Sequence, residues 1–108
     1  MAEPRVALIT FPGKGAAAEF ARHVVEARLV ACVNIVPGVT SVYAWEGKVE
    51  TADEVLAIVK TTDERVAQLQ AALGDRHPYD TPEFVVLEPD HVEPKYLDWL
   101  RQSTAFDE

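Results

Sequence analysis

Residues 31–62 form a hairpin too long for the chain that carries it. Residues 31–45 and 48–62 read as two mostly extended arms meeting at Glu46-Gly47, and at about 3.3 Å per residue each arm reaches nearly 50 Å. A domain of this length is only about 35 Å across. One end of the ribbon therefore overhangs the globule. The overhang carries Val39, Val42, Tyr43, Trp45 and Val49, and a bare two-stranded ribbon with apolar side chains is marginal in water and offers open edges to other chains. Another subunit is expected to complete it, which puts function between subunits.

Composition is compatible with this and narrows the partners. The chain has 108 residues, 48% of them apolar, which is enough for one small core and reads as a single domain over 1–108. Eighteen acidic residues against ten basic ones give a net charge of -8. That balance repels phosphate backbones and anionic lipid, so neither nucleic acid nor a membrane surface is an expected partner. No apolar run approaches the ~20 residues of a membrane helix, and Met1-Ala2-Glu3-Pro4-Arg5 lacks a basic start and apolar block. A cytoplasmic location is expected. Cys32 is the only cysteine, so no intrachain disulfide or Cys-x-x-Cys site exists, and it reads as a small strand hydrophobe.

Along the chain, 6–11 is a short apolar run suited to a central strand. Ala17, Phe20, Ala21, Val24 and Ala27 recur at three and four residues, predicting an amphipathic helix over 16–28 that leaves His23 on the surface. Pro37-Gly38 interrupts the first ribbon arm, where a missing donor and a permissive backbone mark a bulge. Val55-Leu56-Ala57-Ile58-Val59 closes the return arm. Thr61 to Glu64 has the Thr-x-x-Glu spacing of a capping box, predicting a second helix that carries Val66, Leu69 and Leu73 and stops at Gly74. Residues 84–87 read as another central strand, and Glu93-Pro94 opens a last helix bearing Tyr96, Leu97, Trp99 and Leu100. The order β-α-β-β-α-β plus a terminal helix is the α+β, ferredoxin-like arrangement, with two helices on one face of a four-stranded antiparallel sheet.

Chemistry-bearing motifs are sparse. Gly13-Lys14-Gly15 is too short to cradle a nucleotide phosphate, and no Ser, His and acid set shows triad spacing. The densest constellation is Asp75-Arg76-His77-Pro78-Tyr79-Asp80-Thr81-Pro82-Glu83. Two prolines stiffen a loop that gathers an imidazole, a phenol and carboxylates. Two readings stand for it: a rigid connection, or a polar site in which His77 is a metal ligand or proton carrier. A neutral imidazole binds borderline ions such as copper or zinc, but tight binding needs further donors, which an assembly axis would supply. Lys60 and Glu83 sit at strand ends; if those strands are neighbours they form an ion pair, and otherwise Lys60 is a recognition point for an anion. Tyr43, Trp45, Tyr96 and Trp99 read as aromatic interface packing rather than a ligand cage.

Read together, these pieces resemble the CutA divalent-cation tolerance family over almost the whole chain. The resemblance rests on Ala31-Cys32-Val33-Asn34-Ile35, Pro37-Gly38, Ser41, Tyr43, Trp45-Glu46-Gly47-Lys48, Glu54, Lys60-Thr61-Thr62, His77-Pro78-Tyr79, Pro82-Glu83 and Tyr96-Leu97-Asp98-Trp99. It implies a ferredoxin-like fold, a tight homotrimer joined by the long hairpins, an architecture similar to PII signalling proteins, and a link to tolerance of copper and other divalent cations without a defined reaction. Where copper ligands are described in bacterial members, a Cys near the end of the first strand acts with paired His residues just before Pro-Tyr. The matching positions here are Ile9, Arg76 and His77, so only His77 is retained. A Gly-containing turn frequent in the family before Tyr96 is replaced by Glu93-Pro94-Lys95.

The expectation is a cytoplasmic, non-enzymatic homotrimer tied to divalent-cation tolerance, with copper or another divalent ion bound weakly if at all. Any ligand site is expected in the cleft between subunits, lined by His77, Tyr79, Glu83 and Lys60 with aromatic residues from a neighbour's ribbon, and Tyr43, Trp45, Tyr96 and Trp99 line the subunit contacts. The alternative is a PII-like regulator that takes a small anionic ligand in that cleft. An acylphosphatase-type enzyme, holding phosphate with Arg5 and Asn34, is a third reading on fold analogy alone.

Overall fold

Pro4–Phe11 forms the central strand β1 because every second residue, Ala7, Ile9 and Phe11, is buried on one side of it. The structure, a computed structural model, describes residues 1–106; Asp107 and Glu108, part of the single-domain reading, lie outside the described residues. After β1 come α1 (Lys14–Glu26), β2 (Cys32–Trp45), β3 (Lys48–Thr62), a 3-10 turn (Asp63–Arg65), α2 (Val66–Arg76), β4 (Val85–Leu87) and α3 (Pro94–Ser103). The strands make one antiparallel sheet in the order β2-β3-β1-β4. This is the expected ferredoxin-like α+β topology.

The core lies between α1, α2 and one sheet face. Ala17, Phe20, Ala21 and Val24 of α1, at helical spacing, and Leu69 and Leu73 of α2 meet Ala7, Ile9, Phe11, Val55, Ala57 and Val59. The Phe11 and Phe20 rings pack 5.5 Å apart at a tilt. α1 ends in a Schellman turn: Leu29 N–H donates to the Val24 carbonyl and Arg28 N–H to that of Val25. Arg28 holds the left-handed position usually given to glycine, at φ 62.

β2 and β3 form the long ribbon, and the molecule measures 47 Å along its greatest extent against 28 and 22 Å across. The ladder breaks between Val36 and Val39, at Pro37 and Gly38, where Gly38 takes φ 76. At the tip, Glu46 and Gly47 both have positive φ, 50 and 79, the two-residue turn that matches the strands' twist. Beyond the break, Val42, Tyr43, Trp45 and Val49 are exposed.

Alternation sends the other half of each strand to the face opposite α1 and α2. That face carries Val6 and Leu8 from β1, Leu56 and Ile58 from β3, Val36 from β2, and Val85 and Leu87 from β4, all partly or substantially exposed. α3 reaches one end of it, where Tyr96 meets Cys32. Most of an apolar sheet face is thus left open.

Two sequence expectations around α2 fail. Thr61 and Glu64 do not form a capping box: the Thr61 hydroxyl donates 2.7 Å to the Leu29 carbonyl, and a 3-10 turn over Asp63–Arg65 delays the helix to Val66. Asp63 instead accepts from Glu3 N–H at 2.9 Å, tying down the start of the chain. Gly74 does not stop the helix, which runs on to Arg76 and ends where His77 turns extended.

Candidate functional site

The loop after α2 folds back on β1, and His77 is the hinge of that fold. Its ring stacks on Phe11 with centroids 4.6 Å apart. Nε2 lies 2.7 Å from the Thr10 carbonyl, and Nδ1 accepts Tyr79 N–H at 3.0 Å. A carbonyl only accepts and a main-chain N–H only donates, so the imidazole is neutral with its proton on Nε2. Both nitrogens are thereby engaged. A metal at His77 would have to displace one of these bonds, and no group of three His, Cys, Asp or Glu able to hold an ion occurs among the described residues. Within the chain, His77 thus clamps this loop to β1.

The clamp aims Tyr79. Its ring lies 4.8 Å from the His77 ring, and its hydroxyl donates 2.9 Å to Oε2 of Glu54 on β3. Glu54 is only 9% exposed. Burial, then the bond to Glu54 and its charge, push the Tyr79 phenol up from 10.0 to about 12. The folded chain thus holds that proton more tightly than the unfolded one, so the contribution to stability is complete below about pH 10 and lost as pH rises through about 12. Tyr79→Phe is expected to cost about 1–2 kcal/mol near neutral pH, because it leaves a buried carboxylate without its donor. Denaturant titrations should show a shallower alkaline loss in the variant than in wild type; parallel curves would refute the assignment.

Between this loop and the ribbon lies a groove of about 910 Å³. Its walls are Thr10 and Glu54 from the sheet, Ser41, Val42, Tyr43 and Trp45 from the ribbon, and Pro78, Tyr79, Asp80, Thr81 and Glu83 from the loop. Three carboxylates, of Glu54, Asp80 and Glu83, line a space to which no Lys, Arg or His among the described residues contributes. A smaller hollow of about 280 Å³ beside Pro12 and Gly38 also has Glu54 in its wall.

Of the residues singled out in the sequence, the groove brings together Tyr79, Glu83, Tyr43 and Trp45. Lys60 is not among them. β1 lies between β3 and β4, so the expected Lys60–Glu83 ion pair does not form, and Lys60 donates to Oδ1 of Asn34 on β2. Lys60 pairs with Val6 near one end of the sheet, whereas Thr10 in the groove pairs with Leu56 toward the other. Tyr96 and Trp99 are half-exposed neighbours on α3, 5.3 Å apart; burial, then the Cys32 thiol, push the Tyr96 phenol up. Arg5 pairs with Glu88 at 3.3 Å and Asn34 is taken by Lys60, so the acylphosphatase pair does not converge. Glu54, quoted in the sequence only as a piece of the family resemblance, is the residue whose place in the site was not assigned there. Its signal was a carboxylate beginning the buried run of the return arm, where alternation alone asks for an apolar side chain.

A ferredoxin-like chain with an overhanging ribbon, an open apolar sheet face and a groove at the ribbon's root defines the structural class. Comparison with known proteins gives the family. The chain is 46% identical over 100 residues to the divalent-cation tolerance protein CutA of Thermus thermophilus, covering 93% of this chain and 97% of the relative. It is 43% identical over 98 residues to mouse protein CutA, covering 91% of this chain and 55% of the mouse protein, so it spans about half of that relative's length. The solved divalent cation tolerance protein (Cut A1) from Thermus thermophilus superposes with a TM-score of 0.92 at 45% identity, over 94% of this chain and 99% of that one. The family described as CutA1 divalent ion tolerance protein matches residues 5–103, and the chain belongs to it.

Proposed function

We propose that this chain works as a cytoplasmic homotrimer in divalent-cation tolerance, with no turnover of its own, and that its ligands meet it in the groove at the root of the ribbon. The observation that carries this reading is the open sheet face: Leu8, Leu56, Ile58, Val85 and Leu87 form an apolar patch on the side away from α1 and α2, continuous with a ribbon that has outgrown the globule. Patches of this kind mark subunit contacts. In such an assembly the ribbon lies along a neighbour, Tyr43 and Trp45 stand at the rim of a cleft between subunits, and Tyr96 and Trp99 add to the contact. The relatives' names supply the link to divalent cations. The acidic lining favours cations over the small anion of a PII-like regulator.

Copper is a weak ligand of this chain in our reading, because both nitrogens of His77 are engaged by Thr10 and Tyr79. Light scattering of the dilute, untagged chain is expected to give three times the chain mass. Calorimetric titration with copper and zinc is expected to give the same weak heats for wild type and His77→Ala. A single-chain mass would overturn the trimer, and stoichiometric copper uptake abolished in His77→Ala would overturn the metal reading.

A further inference from the structure

We propose that the ribbon is a hinged lid over the groove, latched by the hydrogen bond from Tyr79 to Glu54, because it leaves the sheet at one level where that bond alone steadies it. The pairing of β3 with β1 ends at Val55, opposite Phe11. Glu54 is the next residue outward, and its partner Val39 is the first of β2 beyond the break in the ladder, next to left-handed Gly38. A bulge bends the strand that carries it, and Pro37 removes a main-chain donor at the same place. The ribbon thus loses its neighbouring strand and its own straightness together.

From there to the tip the ribbon is not packed against the globule. Val42, Tyr43, Trp45 and Val49 are exposed, and among the described residues no other side-chain hydrogen bond or ion pair joins residues 39–54 to the rest of the fold. There is also room to move. The groove of about 910 Å³ opens on the face of β3 that carries Glu54, while the hollow of about 280 Å³ beside Pro12 takes in Asp53 and Val55, which alternate to the other face. The arm from Val39 to Trp45 makes a lever of about 20 Å, so a turn of roughly 10° at the break carries the tip about 3–4 Å.

The latch joins this lever to the fixed part of the fold. His77 bonds the Thr10 carbonyl and Tyr79 N–H and stacks on Phe11, so Tyr79 is anchored to β1 while its hydroxyl holds the root of the ribbon. With the bond made, the ribbon stands at one angle and the groove keeps one width. With it broken, Tyr43 and Trp45 swing relative to Asp80, Thr81 and Glu83 on the opposite wall. Any ligand that fits one width better than the other then moves the tip, as hinge closure requires. In the proposed homotrimer the same swing changes the contact with a neighbour, and only that consequence rests on the preceding reading.

The test is a pulsed electron-resonance distance between spin labels at Lys48→Cys, near the tip, and Gln70→Cys, exposed on α2, in a Cys32→Ser chain mixed with excess unlabelled chain. The series is run with and without Ile58→Asp, so that no neighbour holds the ribbon in place of the latch. The parent chain is expected to give one narrow distance. Tyr79→Phe and Glu54→Leu are expected to broaden or displace it by several Å, whereas Glu54→Gln, which keeps a carbonyl oxygen for the Tyr79 hydroxyl, leaves it narrow. Hydrogen exchange on the same chains separates a latch from a local clamp: loss of a clamp alone speeds exchange in residues 78–83 and leaves the ribbon distance unchanged. An unmoved, narrow distance for Tyr79→Phe in the Ile58→Asp series overturns the proposal, and so does a parent already as broad as its variants. Light scattering keeps the two readings apart, since a single-chain mass for wild type sinks the assembly and leaves the lid, while a trimer whose unlatched ribbon stays put sinks the lid alone.

Discussion

On the proposed homotrimer, an Ile58→Asp chain is expected to run as a folded monomer at concentrations where the wild type gives three times the chain mass. Ile58 pairs with Leu8 in the β1–β3 ladder, and both project from the sheet face that α1 and α2 leave bare. In the isolated chain Ile58 is only partly buried, so an aspartate there remains in water and the core of Ala57, Val59 and Leu69 is untouched. In the assembly every copy would have to bring a carboxylate into an apolar contact, at a cost of several kcal/mol each. Ile58→Val, which removes one methylene, should leave the oligomer whole. Light scattering reads the mass and far-ultraviolet circular dichroism the fold. A trimer with an intact Ile58→Asp face would place the contact elsewhere and leave the open patch unexplained. Trp45→Asp asks the same question of the ribbon, with the same direction expected.

Much of this was legible in the residues because local rules and tertiary needs agreed. Strand rise times residue count gave the overhang; Pro37-Gly38 gave the break, since a strand that lacks a donor and gains a left-handed residue cannot keep its register; Glu46-Gly47 gave the turn. The helix faces followed from spacing, as Phe20, Val24, Leu69 and Leu73 show. The failures all involve partners far along the chain. Thr61 looked like a helix cap, but its hydroxyl is claimed by Leu29, 32 positions away. The contacts of His77 within the chain were not legible either: Thr10, 67 positions away, takes one nitrogen and Phe11 its face. Lys60 and Glu83 looked like partners because nothing in either segment says that β1 will lie between their strands. The role of Glu54 was not legible for the same reason: its partner is Tyr79, on a loop 25 positions away.

Arg65→Ala is expected to release the end of the chain and cost about 3 kcal/mol. Arg65 is an arginine at 6% exposure, buried because each part of its guanidinium has a partner. Nε donates to the Thr104 carbonyl at 2.9 Å, one terminal nitrogen to Gln68 Oε1 at 2.7 Å, and the other to the Ala105 carbonyl at 3.2 Å. Its plane covers the Phe106 ring at 3.7 Å. Arg28 grips the same segment from the other side, donating to the carbonyls of Gln102 and Ala105, which helps to offset its left-handed backbone. Two cations thus cap the C-terminus of α3, whose last carbonyls have no partners within the helix. Hydrogen bonds from a charged donor are worth about 1.5–3 kcal/mol each, and the two main-chain bonds of Arg65 are not additive, which sets the estimate. Arg65→Lys should recover less than half, because an ammonium cannot fork across two carbonyls and Gln68 while lying flat on a ring. Denaturant unfolding in the Ile58→Asp background removes the concentration dependence that assembly imposes on stability. Hydrogen exchange should then show α3 amides losing protection before those of β1 and β3. Equal midpoints for Arg65→Ala and its parent would mean that the buried guanidinium is replaceable by water, and that α3 is held by Leu100 and its apolar neighbours alone.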